Sequence, residues 1–479
     1  MKHQHSTLYI DGDWVKAAGG EEISVISPTT EQQIGVVPRA ATVDVDKAVT
    51  AARRAIGSSD WQAIGAAGRA EILMRLADQL EANTTERAAL TSVQNGMPIT
   101  LAAFVEGVAP VAMLRYYAAM AAGLPAEERR PRVGGGGETI VRCEPIGVVA
   151  AIVPWNYPQS LTMFKLAPAL AAGCTVVLKP APETTLDALE LAGCAERAGL
   201  PAGVLNVVTG GADIGEYLVS HPGVHKVAFT GSTAAGRSIG EICGRLLRPV
   251  TLELGGKSAA IVLDDADLTA TVSALAQASL LNNGQTCYLS TRILAPRSRY
   301  DEVLDALAAM ASGLTIGDPL EKSTHIGPLV SSRQRDRVES YIEMGKAGGA
   351  ALVAGGGRSD RATGWFVQPT VFGGVDNNSR IAREEIFGPV LAVIPYGDVD
   401  EAVAIANDSE YGLGGTIWTS DNEKGLEIAR RVETGSVGVN FYELDLGAPF
   451  GGVKASGLGR ELGPEGLAAY YQLKSIYLP

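Results

Sequence analysis

Three side chains of this sequence have the types and settings needed for covalent catalysis on a carbonyl. Cys287 closes the run Asn282-Asn283-Gly284-Gln285-Thr286-Cys287, just after the apolar stretch 273–281. Glu253 stands in Thr251-Leu252-Glu253-Leu254-Gly255-Gly256-Lys257, where a strand breaks into paired glycines. Asn156 lies in Pro154-Trp155-Asn156-Tyr157-Pro158, a turn pinned by two prolines. A thiolate is a good nucleophile and a good acyl leaving group, so one residue can serve two half-reactions. A carboxylate on flexible backbone can act as a separate general base. An uncharged amide on a rigid turn suits a developing oxyanion. Each residue alone has a plainer reading: a small buried hydrophobe, a solvated loop carboxylate, an asparagine stabilising its own turn. The conjunction of the three points to chemistry.

Such residues need a scaffold, and 146–263 supplies one. Short apolar runs at 148–153, 175–178, 204–208 and 226–229, with a last run ending at Leu254, alternate with helix-like stretches at 159–172, 186–198, 214–220 and 234–247. This alternation predicts a parallel, doubly wound sheet. Ligands of such sheets bind beyond the carboxyl ends of the strands, and Trp155, Asn156, Lys179, Gly210, Gly231 and Glu253 all fall there. Lys179 could hold a ribose hydroxyl or a phosphate; its plainer reading is a solvated lysine. Phe229-Thr230-Gly231-Ser232-Thr233 places a glycine at a strand-to-helix turn, where backbone N–H groups can meet a pyrophosphate, although the Gly-x-Gly-x-x-Gly pattern is absent. The segment 44–120 reads as helices covering the sheet. Residues 125–137 contain four consecutive glycines and lead into strand-like 138–142, the pattern of a surface arm. A second alternation after Cys287 (292–295, a helix from Tyr300, 390–395, a helix from Val399, 415–418) predicts a second α/β domain.

The bulk properties agree with a soluble enzyme. The chain has 479 residues, a hydrophobic fraction of 46% and a charged fraction of 19%, enough for two or three domains. A formal net charge of -13 opposes a nucleic-acid partner. Five scattered cysteines, with no Cys-x-x-Cys, suit neither a disulfide framework nor a metal site, and no histidine pair marks a zinc helix. The start lacks the apolar core of a signal peptide, and Glu106, Arg115, Lys165 and prolines interrupt the apolar stretches. No membrane span and a cytoplasmic location are expected.

In order along the chain, Pro154–Pro158, Lys179-Pro180, 229–233, 253–257, 284–287, Glu385-Ile386-Phe387-Gly388-Pro389, Pro449-Phe450-Gly451-Gly452 and Ser456-Gly457-Leu458-Gly459-Arg460-Glu461 resemble the aldehyde dehydrogenase superfamily. The resemblance implies a Rossmann-type cofactor domain (1–122 and 143–254), a second α/β catalytic domain (255–456) and a small β oligomerisation arm and tail (123–142 and 457–479). It implies that Cys287 attacks the aldehyde carbon and that Asn156, with the Cys287 N–H, holds the oxyanion. Hydride then passes to a nicotinamide, and Glu253 activates the water that hydrolyses the thioester. Lys165 and Glu461 match groups that relay protons from that glutamate. For the cofactor, the resemblance implies Trp155 and Lys179 along the adenosine half, with Ile152, Pro182, Glu183 and Gly211 also binding the dinucleotide. Gly231 and Ser232 match the pyrophosphate turn, and Glu385, Phe387 and Leu254 stand about the nicotinamide riboside.

One departure concerns the cofactor. Many NAD-preferring members carry Glu three residues after the lysine, but here the order is Lys179-Pro180-Ala181-Pro182-Glu183. The displaced acid weakens charge-based rejection of a 2′-phosphate, so NADP stays open. NAD is expected because no Arg stands nearby. By resemblance, Tyr157, Leu161, Phe164, Tyr288, Leu444 and Phe450 line an aldehyde tunnel without Lys or Arg, which favours aromatic, terpenoid or medium-chain aliphatic aldehydes. No metal is expected. The arm from Pro125 to Arg142 and the tail 468–479 have strand character and predict a homodimer or homotetramer. Two alternatives are a coenzyme A-acylating enzyme, which a water-activating Glu253 opposes, and a non-catalytic protein of the same fold.

Overall fold

The computed structural model describes residues 3–123 and 126–479; Pro125, the first residue of the expected arm, lies outside them. The first sheet has eight strands in the order Gly457–Leu458, Val250–Glu253, Lys226–Thr230, Val148–Ile152, Thr175–Lys179, Leu205–Val207, Leu8–Ile10 and Asp13–Val15. Its five central strands are parallel. The chain enters at Val148–Ile152, adds two strands on one side, then crosses to add two on the other. This reversal makes a switch point between Val148–Ile152 and Lys226–Thr230, the place where doubly wound sheets take ligands. Register sets Ile152 opposite Lys179 and Phe229, and Thr230 opposite Glu253, so the expected site residues share one rim. Val148–Ile152, Thr175–Lys179 and Lys226–Thr230 are buried at every position, as continuous apolar strands covered on both faces must be.

Helix Pro158–Ala172 is buried along its whole length, with Pro158 in its first turn and Gly173 ending it in the left-handed region (φ 89°). That placement of Pro and Gly follows their backbone preferences. The helix packs between the sheet and the covering helices Gly65–Glu81 and Ala109–Gly123.

The second sheet has seven strands, in the order Ala351–Ala354, Thr370–Gly373, Val390–Tyr396, Arg292–Pro296, Ala259–Val262, Gly415–Trp418 and Gly438–Val439. All neighbours are parallel except the first pair. The third sheet joins Tyr471–Leu478, Glu138–Pro145 and Glu127–Pro131. Arm and tail therefore pair within one chain, and the outer edges of both flanking strands are left unpaired among the described residues.

One expectation needs correction. Residues 457–458, expected with the tail, pair antiparallel with Val250–Glu253, Leu458 opposite Leu252. Their backbone supplies the edge that the first sheet lacks beyond Glu253. The run Ile99–Gly123 is, by length and composition, long and apolar enough to cross a membrane, despite Glu106 and Arg115. Its polar groups are used inside the fold. Glu106, on a π-helical turn, accepts from the N–H groups of Gln159 (2.7 Å) and Ser160 (3.4 Å), and Arg115 pairs with Glu81 at 2.7 Å and Asp78 at 3.1 Å.

Candidate active site

Cys287 follows helix Leu268–Leu280 through a turn with three consecutive left-handed residues, Asn282, Asn283 and Gly284 (φ 51°, 62° and 76°). Asparagine tolerates that region better than other side chains, and here both asparagines also serve as bolts. Asn283 accepts from the Gly327 N–H at 2.7 Å and donates to the carbonyls of Gly96 and Pro328 at 2.9 and 3.0 Å. Asn282 donates to the Asn156 carbonyl at 2.9 Å. A Cβ on Gly284 would lie 2.2 Å from the carbonyl carbon of Gly388, so only glycine lets the loop reach its place. The half-buried Cys287 thiol is pushed up, first by burial and then by the Glu385 and Glu253 carboxylates, against the backbone N–H groups of Cys287 and Tyr288.

The Asn156 side chain reaches across to this loop and donates to the Gln285 carbonyl at 3.0 Å. It does not merely hold its own turn. That turn is clamped by Asn95, which donates to the carbonyls of Trp155 and Asn156, both at 3.2 Å.

Glu253 ends its strand fully buried. Neither of its carboxylate oxygens has a hydrogen-bond partner among the described residues, so it is no solvated loop carboxylate. Its pKa is held well above the usual range, mainly by burial and then by Glu461, with Lys165 and Arg460 opposing. Gly451 gives it room: a Cβ there would stand 2.6 Å from Glu253 Oε1. Behind it, Lys165 Nζ lies 2.8 Å from Glu461 Oε1 and 2.6 Å from Thr230 Oγ1, with side-chain exposures of 0% for Lys165 and 2% for Glu461. Oε2 of Glu461 is unpartnered among the described residues. The three ionisable residues expected to cooperate thus converge from three separate elements.

The crevice at the switch point has the features a dinucleotide requires. Ser232 caps helix Thr233–Arg245, its hydroxyl accepting from the Ala235 N–H at 3.3 Å, and Gly231 precedes it. A Cβ on Gly231 would strike the Phe229 ring at 2.4 Å, so the turn stays bare beside the helix N-terminus, where anions are favoured. Gly211 caps helix Ala212–Ser220, and Pro182 and Glu183 open a short turn after Lys179. Lys179 is buried rather than solvated. Its ammonium donates to the Pro180 carbonyl at 3.0 Å, and burial draws it down to about 8. From the second domain, Glu385 accepts from the Gly256 N–H at 2.9 Å and is pushed up to about 7 by burial. Phe387, itself left-handed (φ 62°), meets Trp155 edge to face at 5.4 Å, closing the crevice across the two domains. Ile152 and Leu254 are buried.

The six expected tunnel residues gather on one core beside Cys287. Phe450 stands edge to face with Phe164 at 6.4 Å and Tyr288 at 6.2 Å. The Tyr157 hydroxyl meets Thr286 Oγ1 at 2.6 Å. Leu161 is buried in the same cluster, and Leu444 packs half-buried against it.

Sequence reasoning missed several participants. Tyr442 stacks on Tyr288 at 4.7 Å and meets Ser436 Oγ at 2.5 Å; the Phe441-Tyr442 doublet just before Leu444 was its only signal. Gln334 donates to the Phe387 carbonyl at 2.7 Å, fixing its strained backbone. Lys257 is buried beside Glu385 and lowered to about 7 by burial and Arg292. The expectation that no arginine lies near Glu183 is also corrected: Arg333 Nη2 stands 3.5 Å from its carboxylate, brought there by folding.

Over residues 14–476 the chain matches the family described as the aldehyde dehydrogenase family. The chain belongs to that family. It is 56% identical to geranial dehydrogenase of Castellaniella defragrans, covering 100% of this chain and 99% of that protein. It is 42% identical to phenylacetaldehyde dehydrogenase of Pseudomonas fluorescens, covering 100% and 96%. Among solved structures it superposes on Mycobacterium tuberculosis aldehyde dehydrogenase complexed with NAD+, with a TM-score of 0.97, 46% identity and coverage of 100% and 99%. It also superposes on a cysteine-to-alanine variant of aldehyde dehydrogenase C from Pseudomonas syringae, solved with NAD+ and octanal, at a TM-score of 0.95, 39% identity and coverage of 98% and 96%.

Proposed function

We propose that this aldehyde dehydrogenase oxidises apolar aldehydes, of the aromatic, terpenoid or medium-chain aliphatic kind, to carboxylic acids by covalent catalysis at Cys287. The chain is an NAD-dependent enzyme of the non-acylating type. The observation that carries the mechanism is Glu253: a fully buried carboxylate with two unpartnered oxygens, facing the loop of a half-buried cysteine. Such a group is costly to bury and is suited to taking a proton.

Cys287 gives its thiol proton to solvent water, and the resulting thiolate sulfur forms a bond to the aldehyde carbon as the carbonyl π bond opens to the oxyanion. The Asn156 amide turns from the Gln285 carbonyl to the oxyanion, joined by the Cys287 N–H. A bound nicotinamide would supply the acceptor for the hydride leaving this carbon, so that the carbonyl re-forms as a thioester on Cys287. A water oxygen then attacks the acyl carbon and gives one proton to Glu253. The carbon–sulfur bond breaks, and thiolate and carboxylic acid result. Lys165 and Glu461 carry that proton away from Glu253. Trp155, Lys179, Gly231, Ser232, Glu385 and Phe387 would hold the dinucleotide, with Ile152, Pro182, Glu183, Gly211 and Leu254 around it.

The aromatic lining formed by Tyr157, Phe164, Tyr288, Tyr442 and Phe450 supports the substrate class, since these lining side chains include no cation to receive a remote acid. The relatives that act on geranial and phenylacetaldehyde by name agree with it. The test is a panel of geranial, phenylacetaldehyde, octanal and succinic semialdehyde with NAD, with and without coenzyme A. We expect the three apolar aldehydes to be oxidised without coenzyme A; preference for the semialdehyde overturns the substrate reading. A homodimer or homotetramer, through the arm and tail, is part of this proposal.

A further inference from the structure

In doubly wound sheets, the second strand of the nucleotide-binding unit ends at the adenosine ribose, where an acid accepts from the 2′-hydroxyl or an arginine receives a 2′-phosphate. Here that strand is Thr175–Lys179. Beyond its end stand the buried Lys179, the uncharged Pro182 and then Glu183. Arg333 comes from the other domain, in the first turn of helix Ser332–Ala347, 150 residues further along the chain. Its side chain is 84% exposed, and its Nη2 lies 3.5 Å from Glu183 Oε1. Among the described residues Glu183 is its only ion-pair partner. The other nearby acid, Asp213, is already engaged by Arg39.

Glu183 alone would repel a 2′-phosphate. Arg333 neutralises it, and a guanidinium fork matches a phosphate better than a carboxylate held at this distance. An exposed ion pair of this length costs little to release. Lys179 adds a second cation on the same side.

We propose that Arg333 sets the selectivity between NAD and NADP, pairing with Glu183 while the ribose carries a hydroxyl and turning to the phosphate when it carries one. The enzyme accordingly takes both nucleotides, NAD the more tightly. The inference rests on the dinucleotide reading of the crevice given above.

The test is calorimetric titration of the full-length protein with NAD+, NADP+, 5′-AMP and 2′,5′-ADP, for the wild type, Arg333→Ala, Arg333→Lys and Glu183→Gln. Loss of one charge-assisted fork should raise the NADP-to-NAD ratio of dissociation constants about tenfold in Arg333→Ala. Arg333→Lys should fall between, and Glu183→Gln should lower the ratio. The differences should shrink with added salt, as exposed charges are screened. A ratio that moves less than about twofold in both Arg333→Ala and Glu183→Gln, well below what a charge-assisted bond is worth, overturns the proposal, as does a wild type that binds NAD but not NADP. Failure of the wild type to bind either nucleotide would instead overturn the cofactor reading itself. Arg333 is exposed, so its variants should fold, and an unchanged thermal midpoint checks this.

Discussion

Replacing Lys165 with methionine probes how Glu253 is supported. Lys165 and Glu461 form a pair at 2.8 Å with both side chains buried. At that separation and an effective dielectric constant of about 20, the Coulomb attraction is about 6 kcal/mol. Much of it is offset by removing both charges from water, and breaking a buried pair by truncating one partner costs roughly 3–5 kcal/mol. Lys165→Met leaves the Glu461 carboxylate uncompensated beside the already buried Glu253, and deprives Thr230 Oγ1 of its donor. The double variant Lys165→Met/Glu461→Gln removes both charges and should recover most of the loss. The assay is urea unfolding of the four members of this cycle, reading midpoints at constant slope. Lys165 also opposes the upward shift of Glu253, so the acidic limb of the turnover profile should move to higher pH in Lys165→Met. A single variant within about 1 kcal/mol of wild type, with no recovery in the double, would refute the view that a buried ion pair supports the base.

Other predictions concern charge, backbone and assembly. NAD affinity should weaken as pH falls through about 7, where Glu385 takes up a proton; Lys257, drawn down to about 7, and Arg337 act on the same group. Glu385→Gln should flatten that limb in a titration of dissociation constant against pH, and an unaltered limb assigns it elsewhere. Gly284→Ala forces a methyl group to within 2.2 Å of the Gly388 carbonyl carbon at a φ of 76°. It should cost about 3 kcal/mol or more in unfolding free energy and most of the turnover, whereas Gly244→Ala, with open space around it, should be tolerated. Deleting residues 471–479 removes a strand whose Leu473 and Tyr477 are 70% and 74% exposed. Light scattering should then show loss of assembly, and an unchanged mass would defeat the proposed role of the tail.

The sequence made legible what is local. Paired glycines after Glu253, prolines about Asn156 and the Asn-Asn-Gly turn before Cys287 each announce a backbone that must bend sharply at a rim, and the strand-helix alternation says which rim. Once the strands are placed, crossover rules narrow how the parallel ones can be connected. What stayed hidden is what long-range packing brings in. Arg333 reaches Glu183 from another domain, Tyr442 joins Tyr288 from a loop, and Gly457–Leu458 leaves the tail to edge the first sheet. No local pattern encodes those meetings. Glu106 read as an interruption of an apolar stretch, yet the fold uses it to cap the helix that carries Lys165.

In the proposed mechanism Cys287 carries the acyl group and Glu253 releases it. Rapid mixing of Glu253→Gln with NAD and an accepted aldehyde, followed by mass analysis of the quenched protein, tests both halves at once. We expect a burst of up to one reduced cofactor per subunit, then near-zero turnover, with the acyl mass on the peptide containing Cys287. Steady turnover at the wild-type rate, or an acyl group found elsewhere, would contradict it.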